Sequence, residues 1–547
     1  MSAARAATMT GERPPGTSVA RDTAVVSGLN LASRVTGLAR VVAMSAALGA
    51  TALGDTYQSA NLVSNILFEL LAGGLLSAVL VPTFVDLVDR GRRSEAARLA
   101  GLILGAALAV LTVVVVGGVL LGPWLMRLLT LGVPDAEGRD QQVELGTFLL
   151  WFFLPQVLLY AVGAVATALL HAERRFVAAA LAPVCNNVVV IVAMIAFVAI
   201  RQGDTSLPLS LGERLVLAAG ATGGVLAMSL VPVVAVRLRG LHLRPRWPGR
   251  DPAVRSLLGR GAWAALQLAV TQVLALVTIV LANGVSGGVV AYQVAFTFFL
   301  LPYALLAQPL TTALFPRLST SAAAGRLGEF GRDLSTGLRT LVVVLVPASA
   351  LGAALARPLV EVLRFGALDA AGADLVAAAL AAYSIGLAGY AAFLLLTRAA
   401  YAVHDVRSPA VILLTTTAIA VVAMVLVLDA ASITGTGRVV VLGLGHGAAV
   451  TAGAVVLWRR MDHAAADAAV RLEPLRRAIA VAVAAGLAGG LAAAFVVGLV
   501  GFEDRGAAVA AVIGGGVAGT AVVVVVLALL GGPELRALRN RGREWAR

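Results

Sequence analysis

Residues 24–50 read AVVSGLNLASRVTGLARVVAMSAALGA, an apolar stretch of spanning length that contains two arginines, Arg34 and Arg40. A guanidinium near a bilayer centre costs at least about 2.5–3.5 kcal/mol on insertion scales, so it is kept where it faces a polar cavity, a partner or an anionic ligand. The alternative is that it lies near a helix end and snorkels to the surface. Snorkelling is harder for Arg34, about 15 Å into the segment at 1.5 Å per residue, so we favour an intramembrane function for it and leave both interpretations open for Arg40.

The composition surrounding this stretch is that of a polytopic membrane protein. The chain has 547 residues, of which 60% are hydrophobic and 13% charged, with a mean hydropathy of +0.93. A soluble chain of this length exposes far more charge. The net charge of +13 comes without a single lysine. The arginines fall in short clusters between apolar segments, which excludes a nucleic-acid-binding domain.

Two smaller features agree with this class. Cys185 is the single cysteine and excludes an intrachain disulfide framework. Residues 1–22 are polar and basic, but the apolar segment behind them is too long for a signal-peptide core and lacks a clear cleavage site. We therefore expect a retained first helix after a cytoplasmic tail.

Apolar runs of spanning length predict an all-α fold with about fourteen transmembrane helices. The ninth run is short and is interrupted by Pro347. The predicted spans are 24–48, 58–83, 97–121, 144–170, 177–200, 214–236, 257–282, 288–316, 339–356, 375–402, 409–428, 438–458, 477–500 and 507–531.

The distribution of arginines predicts the orientation. Arginines in the first turn of a predicted span are counted with the preceding connection. On this count the N-terminal tail, the even-to-odd connections and the C-terminus hold 31 of the 42 arginines, whereas the opposite connections hold 8 and three lie deeper within helices. Cytoplasmic loops carry the excess of basic residues. Both termini are thus predicted to be cytoplasmic, in a bacterial plasma membrane, and the basic C-terminal tail is interpreted as a positive-inside anchor.

A weak internal repeat indicates two lobes. LLSAVLVPTF (75–84) and PLTTALFPRL (309–318) each place Ser or Thr five residues before a proline, and the two prolines are 234 residues apart. HAERRF (171–176) and VHDVRSP (403–409) agree at a similar offset. Transporters built from repeats place their substrate site between the repeats.

These signals together predict the organisation of the chain. We expect a cytoplasmic tail, a first lobe of helices 1–6, a second lobe of helices 7–12, a pair of additional helices and a basic cytoplasmic tail. The corresponding ranges are 1–22, 23–236, 237–458, 459–532 and 533–547.

Four segments, in order, resemble the lipid II flippases of the MurJ/MviN family, members of the multidrug/oligosaccharidyl-lipid/polysaccharide (MOP) exporter superfamily. They are SRVTGLARVVAMSAALGATALGDTYQSANLVSNILFELLAGGLLSAVLVP (33–82), HAERRFVAAALAPVCNN (171–187), LRFGALDAAGADLVAAALAAYSIGL (363–387) and RAAYAVHDVRSP (398–409). The lysine-free composition, rich in alanine, valine and arginine, suggests a member of actinobacterial type.

The resemblance implies a MATE-like fold, in which two six-helix lobes form a V-shaped cavity that opens alternately to each side. Helices 13 and 14 would form a groove for the lipid tail. The implied substrate is undecaprenyl-diphosphate-linked disaccharide peptide, flipped to the outer leaflet for peptidoglycan assembly and cell-wall organisation. Arg34 and Arg40 match the two first-helix arginines of the family, Asp55 its acidic residue after that helix, and Asn65 the asparagine of its Pro-Asn-Leu motif.

The chain departs from the family pattern at several positive positions. The paired arginines of the second helix fall on Phe68 and Glu69, the acidic residue of a Glu-Gly pair falls on Gly73, and an eighth-helix arginine falls near Thr297. Either this branch binds the diphosphate with fewer arginines, with Arg398 added, or it carries another lipid-linked substrate. A degenerate or regulatory paralogue is a third interpretation.

The residues themselves support a diphosphate site. Planar guanidinium groups bind phosphate oxygens bidentately, although Arg34 and Arg40 diverge by about 120° on a straight helix. Asp55 is a candidate gate that pairs with an arginine in one state, or an exposed loop aspartate. Glu69 lies midway along the second run, where we expect it to pair with Arg34 or Arg40; titration as a coupling group and permanent protonation are alternatives. Arg398 is a candidate cavity residue; the alternative is that its side chain snorkels to the membrane surface.

No enzymatic chemistry is supported. The five histidines lack metal-ligand spacing, so neither a metal nor a cofactor is expected. Our leading hypothesis is a monomeric lipid II flippase working by alternating access, biased by the membrane potential or an ion gradient. Its partners would be lipid II, membrane lipids and cell-wall synthesis proteins. The rivals are an exporter of another polyprenyl-linked glycan or drug and a non-transporting cell-wall scaffold.

Overall fold

The computed structural model describes residues 15–69, 81–247, 262–464 and 472–530, and within these ranges the chain is helical and without strands. The helices are α1 Pro15–Leu48, α2 Ala52–Glu69, α3 Val81–Asp89, α4 Arg93–Leu120, α5 Gly122–Leu129, α6 Ala136–Phe153, α7 Gln156–Ala172, α8 Val177–Arg201, α9 Leu211–Leu238, α10 Ala262–Ala282, α11 Gly288–Pro302, α12 Gln308–Ala323, α13 Leu327–Val362, α14 Ala370–Ile385, α15 Leu387–Ala402, α16 Arg407–Ala430, α17 Gly435–Ala464, α18 Leu472–Val500 and α19 Arg505–Leu530. A π-helical turn, Tyr303–Ala307, joins α11 to α12.

Capping residues explain where several of these helices begin. The Asp135 carboxylate accepts a hydrogen bond from the Gly138 N–H at the start of α6. Ser210 and Glu213 form a reciprocal capping box at the start of α9. Such caps satisfy backbone donors that have no intrahelical partner.

Eleven continuous helical segments of the described ranges are long and apolar enough to cross a membrane, and two of them combine α6 with α7 and α11 with α12. The count is twelve if α14 and α15, bent by 48°, form one span. The predicted count of fourteen is therefore not confirmed. The two further predicted spans correspond to α10, whose apolar part Leu266–Ala282 is short, and to α2, which borders residues 70–80 outside the described ranges. The all-α, multi-pass class is confirmed.

Two predicted boundaries differ from the structure for identifiable reasons. The ninth span, predicted as 339–356, is part of the 36-residue helix α13, which contains Pro347 and Pro358 without ending. Its first turns are polar, and a search for apolar windows misses them. The predicted outer connection 122–144 contains the short helix α5 and the first turns of α6.

Helices pack mainly within two halves of the chain. In the first half α8 packs against α1 and α9, and α2 packs against α6; in the second, α14 packs against α11, α13 and α17. The last two helices pack against each other and against α13, where a Cβ at Gly519 would meet the backbone of Gly489 and one at Gly490 would meet Ala350. The predicted lobe boundaries and lipid-tail groove remain predictions.

The two halves meet at one end of the molecule, which we call the closed end (residues 46–59, 283–290 and 366–372). The Ala367 N–H donates a hydrogen bond to the Ala46 carbonyl across the two halves, at 2.8 Å. Gly366 has a positive φ of 59°, and a Cβ there would collide with the Ala46 carbonyl. A glycine permits both the left-handed conformation and the close backbone approach.

Candidate functional site

A cavity of about 810 Å³ lies between the two halves and is lined by both. Helices α1, α2, α7, α8 and α9 line it from the first half, and α10, α11, α15 and α17 from the second. A size of several hundred cubic ångströms is typical of small-molecule sites. Its place between repeat-related halves is the place where transporters bind their substrates.

Arg40 contributes a positive charge to this cavity. Its side chain lines the cavity beside Met44 on α1 and is half-buried. Its Nε is buried and has no hydrogen-bond partner among the described residues, and no carboxylate of those residues lies within ion-pairing distance of it. A buried guanidinium nitrogen without a partner is costly, so this side chain is suited to bind an anion.

Arg34 lies elsewhere on the same helix. It is exposed and is not among the residues that line the described cavity. Six residues separate it from Arg40, which places it about 9 Å closer to the N-terminal end of α1 and on a different face. The structure therefore brings one of the two predicted arginines to the cavity.

A polar stripe on α2 continues the cavity wall. Asn61, Asn65 and Glu69 follow one another at four-residue spacing and all line the cavity, as expected for one face of a helix. The expected ion pair between Glu69 and Arg34 or Arg40 is not formed among the described residues. Asn65 and Glu69 thus lie where the sequence analysis placed its cavity candidates.

Asp55 has a different partner from the one expected. Its carboxylate, 1% exposed, accepts hydrogen bonds from the backbone N–H groups of Gly287 at 2.7 Å and Val290 at 3.0 Å, at the start of α11. In this conformation it caps a helix of the opposite half instead of pairing with an arginine. A helix N-terminus favours a carboxylate because its free N–H groups and dipole are positive.

Asn283 reinforces the same junction. Its side-chain amide, 3% exposed, donates to the Leu129 carbonyl at 2.9 Å and to the Ser59 hydroxyl at 3.3 Å. Both acceptors belong to the first half, and Asn283 follows α10 of the second. Buried polar groups joined across an interface hold it in one register. The closed end is therefore joined by directed hydrogen bonds as well as by packing.

Arg398, on α15, lies near the π-helical turn that joins α11 to α12. Its guanidinium donates to the hydroxyls of Thr311 at 3.3 Å and Thr312 at 3.5 Å on α12, just beyond the π-helical turn. It does not line the central cavity. Single π-turns are common at functional sites.

An aromatic wall of the cavity was missed by the sequence analysis. Tyr292, Phe296, Tyr390 and His446 line it from the second half, and the His446 ring lies 5.6 Å from that of Phe296. Tyr292 and Phe296 are four residues apart on α11, on the same side as Gln293. A helical wheel drawn around Gln293 would have revealed this stripe.

Five further amide side chains of the spans divide between the cavity and helix contacts. Asn186, Gln272 and Gln293 line the cavity. Asn187 instead donates to Thr36 Oγ1 on α1, and Gln267 accepts a hydrogen bond from the Tyr401 hydroxyl. Within the ranges that the structure describes, no group of three or more histidine, cysteine, aspartate or glutamate residues is arranged to hold a metal.

Solved structures show what this fold resembles. An inward closed conformation of the lipid II flippase MurJ superposes with a TM-score of 0.72 at 17% identity and covers 92% of this chain and 98% of the other. An inward-facing multidrug resistance MATE family transporter of the MOP superfamily superposes with a TM-score of 0.62 at 14% identity, covering 81% and 98%. At such identities the likeness establishes the MATE-like fold alone.

Sequence comparison establishes the family. The probable lipid II flippase MurJ of Rhizobium tropici is 29% identical over 387 residues, 70% of this chain and 71% of that one. The lipid II flippase MurJ of Burkholderia cenocepacia is 29% identical over 394 residues, covering 70% and 73%. The family model described as lipid II flippase MurJ matches residues 44–529. The chain is therefore a multi-pass membrane protein that belongs to the MurJ family.

Proposed function

We propose that this protein flips lipid II from the inner to the outer leaflet of the bacterial cytoplasmic membrane by alternating access. The observation that carries the proposal is the cavity between the two halves, with Arg40, whose guanidinium has no ion-pair partner among the described residues, in its wall. Membership of the MurJ family supplies the substrate class. A cationic-drug exporter would need an acidic cavity without arginine, so this alternative is not favoured.

The proposed role of Arg40 is to bind the diphosphate of the lipid carrier. A guanidinium presents a planar fork of donors that matches phosphate oxygens. Arg34 is exposed about two helical turns from Arg40 and would contact the diphosphate earlier. Arg398 would add a third positive charge beside α12. The chain lacks the arginines of the family pattern at Phe68, Glu69 and near Thr297, so these three arginines would bind the diphosphate without them.

The polar and aromatic walls would serve the rest of the head group. Asn61, Asn65 and Gln293 offer amide donors and acceptors to sugar hydroxyls and peptide groups. Tyr292 and Tyr390 offer ring faces and hydroxyls on the opposite wall. A polar cavity whose charged lining residues, among those described, are Arg40 and Glu69 suits a bulky glycopeptide on a diphosphate.

The proposed cycle requires the closed end to open. The positive-inside distribution of arginines supports placing this end outside, so the present conformation would be closed toward the outer leaflet. Opening separates Asp55 from the start of α11 and Asn283 from Leu129. A membrane potential or an ion gradient would bias the equilibrium, since moving one charge across 100 mV changes the free energy by about 2.3 kcal/mol.

The proposal needs neither a cofactor nor an enzymatic step. We take the working unit to be the monomer, with both termini cytoplasmic and with membrane lipids and cell-wall synthesis proteins as neighbours. Of the predicted tails 1–22 and 533–547, residues 1–14 and the whole C-terminal tail lie outside the described residues, as does Gly73, whereas residues 15–22 belong to α1.

The test is complementation of a flippase-depleted strain, with accessibility of the outer-leaflet precursor as the readout. We expect the wild-type chain to restore both growth and precursor accessibility, and Arg40→Ala to lose both. Arg127→Ala, which removes an exposed arginine of α5, is the matched control and should behave as wild type. If Arg40→Ala restored growth as well as the wild-type chain does, but without accessible precursor in the outer leaflet, the result would favour a non-transporting cell-wall scaffold instead.

A further inference from the structure

A second cavity, of about 450 Å³, lies at the edge of the first half, away from the central one. It is formed between the first turns of α4 and the segment 240–246 that follows α9, and it shares no lining residue with the central cavity. Its basic lining residues are Arg98, His242, Arg244 and Arg246.

The backbone holds this segment in place against α4. The Arg246 N–H donates a hydrogen bond to the Gly101 carbonyl at 2.9 Å. A Cβ at Gly101 would collide with the Arg244 carbonyl, and one at Gly105 with the Arg246 carbonyl. Two glycines four residues apart thus form a groove on one face of α4, and the segment lies in it.

The charge of this cavity is not compensated within the described chain. No carboxylate there lies within 4.0 Å of a guanidinium nitrogen of Arg98, Arg244 or Arg246. Glu95, the one acidic residue among the described residues of the cavity wall, forms an ion pair with Arg92. Three arginines therefore line one cavity without an acidic partner among the described residues, and guanidinium groups are suited to bind a phosphate.

The ends of two spans place this cavity at the level of the membrane surface. The spans Arg93–Leu120 and Leu211–Leu238 begin and end beside it. Trp247 follows directly and is 79% exposed, and exposed tryptophans concentrate at the level of lipid head groups. Leu241 and Leu243 of the same segment pack on the apolar core of this half, which fixes its depth.

We propose that this cavity is a binding site for the phosphate of an anionic phospholipid head group. The three guanidinium groups bind the phosphate oxygens, Ser94 adds a hydroxyl, and Trp247 lies at the adjoining interface. Basic pockets beside membrane spans bind acidic lipid head groups for this reason. The site is independent of substrate translocation, since it requires neither the central cavity nor the closed end.

The test measures lipid retention by native mass spectrometry on the full-length protein in zwitterionic detergent, titrated with phosphatidylglycerol. Each basic residue near such a phosphate contributes roughly a fivefold factor, so Arg98→Gln/Arg244→Gln/Arg246→Gln should weaken the tightest binding about a hundredfold. The control triple, Arg175→Gln/Arg237→Gln/Arg239→Gln, removes three exposed arginines outside the cavity and should stay within about threefold of wild type.

Two further measurements test which ligand binds and whether the position of the segment matters. Phosphatidylcholine should bind at least tenfold more weakly, and millimolar inorganic phosphate should not displace phosphatidylglycerol. Gly105→Leu keeps all three arginines but displaces the segment, and should weaken binding at least tenfold. Equal losses in both triple variants, equal binding of phosphatidylcholine, displacement by free phosphate, or wild-type binding by Gly105→Leu would each overturn the proposal.

Discussion

The carboxylate of Asp55 joins the two halves, so replacing Asp55 with Asn should release the closed end. The side chain accepts two backbone N–H bonds across the junction, at 2.7 and 3.0 Å, while almost completely buried. Hydrogen bonds to a charged group contribute about 1.5–3 kcal/mol each, and neutral ones about half as much. Asparagine keeps the shape and one acceptor, so the closed conformation should lose about 2–4 kcal/mol relative to the open one.

That loss corresponds to a shift of roughly 30- to 700-fold in the equilibrium between the conformations. A closed-to-open ratio of about 100 would fall to between about 4 and 0.1. The open population should therefore become directly observable.

Spin–spin distance measurements can detect this shift. Leu131 and Thr434 are exposed, lie near the closed end and belong to opposite halves, so both are changed to cysteine and labelled after Cys185→Ala removes the native thiol. Asp55→Asn should add a longer-distance population. The control is Asp369→Asn, since Asp369 is also a capping carboxylate, bonded to Gly372 N–H at 2.7 Å within its own half. If Asp55→Asn gives the wild-type distance distribution, the carboxylate does not hold the junction.

Three further outcomes follow from the same contacts. Asn283→Ala should weaken the closed end by about 1–3 kcal/mol, since it leaves the buried Leu129 carbonyl unsatisfied; the same distance measurement should show a smaller open population than Asp55→Asn gives. Gly287→Ala should lower thermal stability or open the junction, because Gly287 has a φ of 81° and a Cβ there would collide with the Ala50 carbonyl; an unchanged melting temperature and distance distribution would contradict this. Arg40→Lys keeps the charge but loses the planar fork, so outer-leaflet precursor should fall without disappearing, whereas full activity would show that charge alone suffices.

Span positions could be predicted where apolar residues fill a whole helix. The predicted span 177–200 corresponds to α8, Val177–Arg201, and the predicted span 507–531 to α19, Arg505–Leu530. Prediction was poor at α13, because its first turns around Arg332 and Asp333 are polar although still helical. Hydropathy marks the part of a helix in the hydrocarbon layer, and not the turns that extend beyond it.

The sequence predicted several of the polar residues that line the cavity, but it did not predict which groups the polar residues bind. Arg40, Asn65 and Glu69 line the cavity, because an intramembrane polar residue must face a cavity or partner. The partner of Asp55 could not be predicted, since it is the backbone of Gly287 and Val290, and backbone N–H groups carry no signal in the sequence. Only the repeat offset gave a hint: Asp55 and Val290 are 235 residues apart, close to the 234 that separate the two repeat prolines.

The most direct test of the account is binding of an undecaprenyl-diphosphate glycolipid to wild type and to Arg40→Gln, measured by native mass spectrometry. One charged hydrogen-bonding group contributes about 1.5–3 kcal/mol, so the variant should bind roughly 10- to 150-fold more weakly. Arg127→Gln, which removes an exposed charge of α5, should bind as wild type does. Equal affinity of Arg40→Gln and wild type would contradict the claim that this guanidinium binds the diphosphate.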